Sequence, residues 1–133
     1  MKIFNAKKLL SADPPKLLEY AGKESVLVSF RDQCYTAIIP AFIGQLNNAL
    51  PIHKQCIHLR GSIQWGNPDY TAHIERQIRE EDAAVTGAIV LDHFRQFLVT
   101  EDDDQALINL KHYFDRLASS IEIPLIILYR YAL

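Results

Sequence analysis

Cysteine is scarce in this chain: 133 residues contain only Cys34 and Cys56. Two thiols far apart in sequence exclude the dense disulfide framework that staples small secreted domains. Glycine and proline are also few, at 5 and 6 residues, which excludes collagen-like and low-complexity chains. Neither sign of charge is in excess, since 14 Lys and Arg face 16 Asp and Glu for a formal charge of -2. No strong field is available to draw in nucleic acid or anionic lipid, so neither is an expected partner. No apolar run approaches the ~18 residues that a membrane helix requires. The stretch Met1 to Leu10 is broken by polar residues before a signal-length apolar segment can form, and a cytoplasmic chain with free thiols is expected. There is no glycine-rich phosphate cradle, no dinucleotide fingerprint and no Gly-x-Ser-x-Gly elbow, so no cofactor is expected.

What remains is a chain 49% hydrophobic and 23% charged, of the length of one domain spanning residues 1–133. A chain of this size buries enough apolar surface to hold a core without staples. Asp13-Pro14-Pro15, then Lys16 to Ala21 and Gly22, reads as an N-cap, prolines in the first turn, a short helix and a glycine stop. The run Val26 to Phe30 predicts a buried strand. Tyr35, Ile38, Ile39, Phe42, Leu46, Ala49 and Leu50 recur at helical spacing, with Asp32 placed to cap them. Pro40 inside the pattern should kink that helix or delay its start. Gln55 to Arg60 alternates with period two, as a strand does, and a turn-rich connection leads to a helix carrying Tyr70, Ile74 and Ile78 on one face. The apolar runs 84–91 and 96–100 are close enough to predict a hairpin. Asp102 and Gln105 resemble a capping box for a helix with Ala106, Leu107, Leu110, Phe114 and Leu117 on one face. A last strand follows from Ile123, with Pro124 near its start.

In order, these elements resemble the thioredoxin fold with a strand added at the C-terminus. The local likeness lies in Val26-Leu27-Val28-Ser29-Phe30, then Cys34, then Pro40 in the following helix. The resemblance implies an α/β domain: a thioredoxin-like mixed sheet flanked by helices with an extra C-terminal strand. The chain departs from the family where a second cysteine would stand, since Cys34 is followed by Tyr35-Thr36-Ala37. Only five residues separate Cys34 from Pro40, and Thr86 occupies the position of the family's cis-proline. Dithiol exchange is therefore not expected. An alternative reading takes residues 55–130 as an α+β ferredoxin-like βαββαβ unit with an N-terminal extension, similar over Val85 to Leu91 to flavin-binding light sensors. The flavin-contacting Asn and Gln of that pattern are missing, with Leu98 at the Gln position.

Candidate chemistry centres on Cys34. A sulfur in the first turn of a helix capped by Asp32 is biased toward thiolate, whereas the same residue packed on an apolar helix is inert. His53, Cys56 and His58 are the tightest set of metal-ligand types, and Cys56 and His58 share a strand face. No further ligand is indicated, so no metal is expected. The acidic runs Glu80 to Asp82 and Glu101 to Asp104 read as solvated turns and helix caps. Trp65 and Tyr70, beside only Lys54, His58 and Arg60, suit a core edge or a protein contact better than base stacking.

A complete core pattern beside a degraded thiol motif predicts a noncatalytic module that binds another protein, as an adaptor, assembly factor or inhibitor of immunity type. The resemblance places its docking edge at Asp32, Tyr35, Trp65 and Thr86. The alternative is a monothiol oxidoreductase with Cys34 as the catalytic nucleophile. The final apolar strand either lies inside the sheet or pairs its edge with a second copy to form a homodimer.

Overall fold

The computed structural model describes residues 2–22, 24–31, 35–60, 68–92 and 104–130, with backbone alone considered at 35–36, 70, 104–110 and 129–130. Among the described residues, five strands and four helices alternate: β1 (Lys2–Asn5), α1 (Pro14–Ala21), β2 (Val26–Phe30), α2 (Tyr35–Ala49), β3 (Gln55–Arg60), α3 (Pro68–Arg79), β4 (Thr86–Asp92), α4 (Asp104–Ser120) and β5 (Leu125–Arg130), with a 3-10 turn at Leu9–Ser11. The strands form one sheet in the order β1-β2-β5-β4-β3, and every pairing is parallel. The molecule is thus of the expected α/β class.

The burial of each strand follows from its place in that sheet. Every residue of β2 and β4 is buried, because strands covered by helices on both faces need apolar side chains at consecutive positions. The edge strands β1 and β3 are more exposed instead, and carry Lys2, His58 and Arg60, the charge and polarity that discourage further pairing. Successive side chains point to opposite faces and so feed two separate cores. On one face, Val26, Val28, Phe30, Ala88, Val90, Ile126 and Leu128 pack with Leu17 and Ala21 of α1 and Ile39, Phe42 and Leu46 of α2. On the other, Leu27, Ile89, Leu91, Leu125 and Ile127 pack with Ile74 and Ile78 of α3 and Phe114 and Leu117 of α4.

Local signals act as the sequence predicts in the first half of the chain. The Asp13 carboxylate accepts from the Lys16 amide at 3.4 Å, the prolines occupy the opening turn of α1, and the Gly22 amide closes the helix on Leu18 O. Pro40 lies inside α2, near enough to its start that the missing amide donor costs the helix one early hydrogen bond and does not end it. The Asp32 cap and the Asp102 capping box lie outside the described residues.

The expected hairpin over 84–100 is corrected. β4 is hydrogen-bonded to β3 on one side and β5 on the other, both parallel, so neither of its edges is left for an antiparallel arm. Residues 96–100 are outside the described segments, and no antiparallel pair, hence no mixed sheet, occurs among the described strands. The parallel pairing also departs from the βαββαβ alternative: the described elements of residues 55–130 run βαβαβ, and residues 96–100 lie outside them. The last strand lies inside the sheet between β2 and β4, so its edges are not open to a second copy. Among the described residues, no helix is long and apolar enough to cross a membrane.

Candidate functional site

Parallel strands share a direction, so the connections leaving β2, β3 and β4 all depart from one edge of the sheet, its carboxyl edge. Helices α1 and α2 cover one face and α3 and α4 the other. The chain leaves β2 toward the first face and β4 toward the second, with β5 between them. Where successive connections part to opposite faces, a doubly wound sheet opens a crevice at its carboxyl ends, and ligands of such folds bind there.

One polar pair marks this edge. His58 and Asp92 lie on the α2 face of β3 and β4, and the register sets His58 opposite Val90 and Arg60 opposite Asp92. His58 is thus the diagonal neighbour of Asp92, within reach for side chains of this length. His58 Nε2 donates to Asp92 Oδ2 at 2.5 Å. The Asp92 side chain is 2% exposed and that of His58 36%. Donation to a carboxylate oxygen places a ring proton on Nε2. Asp92 Oδ1 is buried without a hydrogen-bond partner.

The residues singled out from the sequence do not all meet here. Asp32 and Cys34 fall between the end of β2 and the start of α2, and Trp65 between β3 and α3. Those three lie outside the described residues. Tyr35 is the first residue of α2, on the carboxyl-edge side. Thr86 is corrected: it opens β4 at the opposite, amino edge, about 20 Å from Asp92 along an extended strand. There it is buried, its hydroxyl donating to Glu81 Oε2 at 3.3 Å and its amide to Asp82 O. It belongs to the turn that enters β4 and is no part of a docking tip.

The His53, Cys56 and His58 set resolves into separate roles. His53 is exposed, His58 is held by Asp92, and burial pushes the Cys56 thiol up to about 12, far from thiolate at neutral pH. The Cys56 amide donates to Asn47 Oδ1 at 2.8 Å, beside the register shift between Gln55 and Cys56. Among the described residues, no three His, Cys, Asp or Glu side chains are grouped to hold a metal ion. An open groove beside Glu24 and Glu122, between the C-terminal ends of α1 and α4, lies at the amino edge, away from the pair.

Asp92 is the functional candidate that sequence reasoning missed. Its signal was an acid closing the uninterrupted apolar run Ala88 to Leu91, a position that a parallel sheet buries on both faces. No protein-family model matches the chain, and no curated protein or solved structure is significantly similar to it.

Proposed function

We propose that this protein is a noncatalytic binding module, an adaptor, assembly factor or inhibitor, whose protein partner docks at the carboxyl edge of the sheet. The observation that carries the reading is the divergence of the chain at that edge, with the connections after β2 and β4 passing to opposite faces beside the His58 and Asp92 pair. Sequence order adds Asp32, Tyr35 and Trp65 to the stretches leaving the same edge. Thr86 is excluded from the surface by its burial at the other edge. The buried, protonated thiol of Cys56 offers no nucleophile in its place.

The test is site-specific photo-crosslinking in the native host, with the reactive side chain at position 60, at the carboxyl end of β3, or at position 52. Ile52 is fully exposed just before the opposite end of that strand. A single adduct of defined mass from position 60 and none from position 52 is expected. Equal labelling from both positions, or none from position 60, overturns the reading.

A further inference from the structure

We propose that the groove at the amino edge, between the C-terminal ends of α1 and α4, is a binding site for a small aliphatic ammonium ligand whose charge meets Glu24 and Glu122. The site stands apart from the docking surface at the opposite edge of the sheet and does not depend on it.

The cavity itself is the starting point. Its volume is about 350 Å³, within the range of small-molecule sites. Ala21 comes from the end of α1, Ala118 from the last turn of α4, and Ile121 and Pro124 from the connection into β5. Glu122 is exposed, so the groove is reached from solvent. The aliphatic side chains can take up methylenes, and the remaining lining is polar.

That polar lining offers acceptors more than donors. The Gly22 amide is spent on Leu18 O, the Glu24 amide on Tyr20 O and the Ser119 hydroxyl on Arg116 O, while Pro124 has no amide to give. Both helices also end here, and the carbonyl end of a helix carries negative partial charge. Neither α1 nor α4 has a basic residue in its last turn, whereas α3 has Arg76 and Arg79. Among the described residues, the charged side chains lining the groove are the two glutamates. A ligand suited to such a lining brings donors and positive charge.

The kind of cation follows from what else is absent among the described residues. No three His, Cys, Asp or Glu side chains are grouped to hold a metal ion. No aromatic ring lines the groove for a planar guanidinium to stack on. An alkylammonium is compact, carries three donors on one nitrogen and has a chain to lay against the aliphatic side chains.

The experiment follows the backbone amides of Gly22, Glu24 and Ile121 by NMR while pentylamine is added at constant pH and ionic strength. Pentanol, of nearly the same shape without the charge, is the control. Saturable shifts with the amine and not the alcohol are expected. Glu122→Gln should weaken binding about threefold, as loss of an exposed ion pair does. Ala118→Leu, which fills the groove and leaves both carboxylates in place, should abolish it. Lys23 adjoins Glu24 in sequence and lies outside the described residues; Lys23→Gln should retain binding. The comparison of amine with alcohol uses the natural protein, so a poorly folded variant does not blunt the test. Equal shifts from both compounds, shifts with magnesium ion but none with the amine, unchanged affinity in Glu122→Gln, undiminished binding by a folded Ala118→Leu protein, or loss of binding in Lys23→Gln would each overturn the proposal.

Discussion

Gly87 lies directly under Leu50: a β-carbon at position 87 would stand 2.7 Å from Leu50 Cδ2 and 2.8 Å from Cδ1. This contact holds the last turn of the α2 region against the start of β4. Gly87→Ala is therefore expected to push the tip of the half-buried Leu50 side chain aside, and to destabilise the fold by up to about 1 kcal/mol, although alanine ordinarily suits a strand better than glycine. Denaturant unfolding of Gly87→Ala, Leu50→Ala and the double variant checks this. The double variant should lose less than the sum of the two single losses, because removing the leucine tip makes room for the new methyl.

The two cysteines should separate cleanly in a labelling experiment. Cys56 is buried and its thiol lies at about 12, so it should resist iodoacetamide in the native protein at neutral pH. Any thiol that reacts rapidly is then Cys34. Mass spectrometry after a native pulse should find at most one modified cysteine, and a Cys34→Ser protein should take up label only as fast as it unfolds. A reactive Cys34 that forms a trappable mixed disulfide with glutathione would favour the monothiol oxidoreductase over the binding module.

Alkaline pH should weaken the fold by way of Cys56. Its thiol moves from the ordinary value of 9.0 to about 12 through burial, so the folded state holds the proton more tightly than the unfolded chain. The contribution is complete below pH 9 and declines as the pH rises toward 12. Tyr113 acts in the same direction at still higher pH, because burial, then the charge of Glu75 and its hydrogen bond to that carboxylate raise its phenol. Urea midpoints measured between pH 8 and pH 11 should fall more steeply for the natural protein than for Cys56→Ala.

Asn47→Ala removes the acceptor for the Cys56 amide at the irregular start of β3. The expected loss is about 1 kcal/mol, typical of one neutral hydrogen bond. Hydrogen exchange should show it as faster exchange of the Cys56 amide, with the interior strands β2 and β5 changing only by the global amount.

Much of the helical structure was legible because its signals are local. Asp13, Pro14 and Gly22 punctuate α1, and the spacing of Ile74 and Ile78 marks the buried face of α3. Strand pairing is not local. Ala88 to Leu91 reads as a fully apolar run whether its partner is antiparallel or whether it has parallel neighbours on both sides, so a hairpin was inferred where β3 and β5 in fact flank it. The same ambiguity hid the site. His58 was weighed against Cys56, two residues away, because sequence shows neighbours on a strand. The residue it touches is Asp92, 34 positions on, brought close by a register that only the assembled sheet defines. Thr86 was assigned to the docking edge through the thioredoxin resemblance, and a parallel β4 puts it at the far end of the strand.

The place of β5 sets a condition on biosynthesis. It occupies the middle of the sheet although it follows the other four described strands in sequence, so β2 and β4 each keep an unpaired ladder until residues 125–130 have been made. Without it, β1 with β2 and β3 with β4 are two ladders that share no strand. Closure by this final wedge is the moment at which they become one body, and the interval before it is when a chaperone has most to protect.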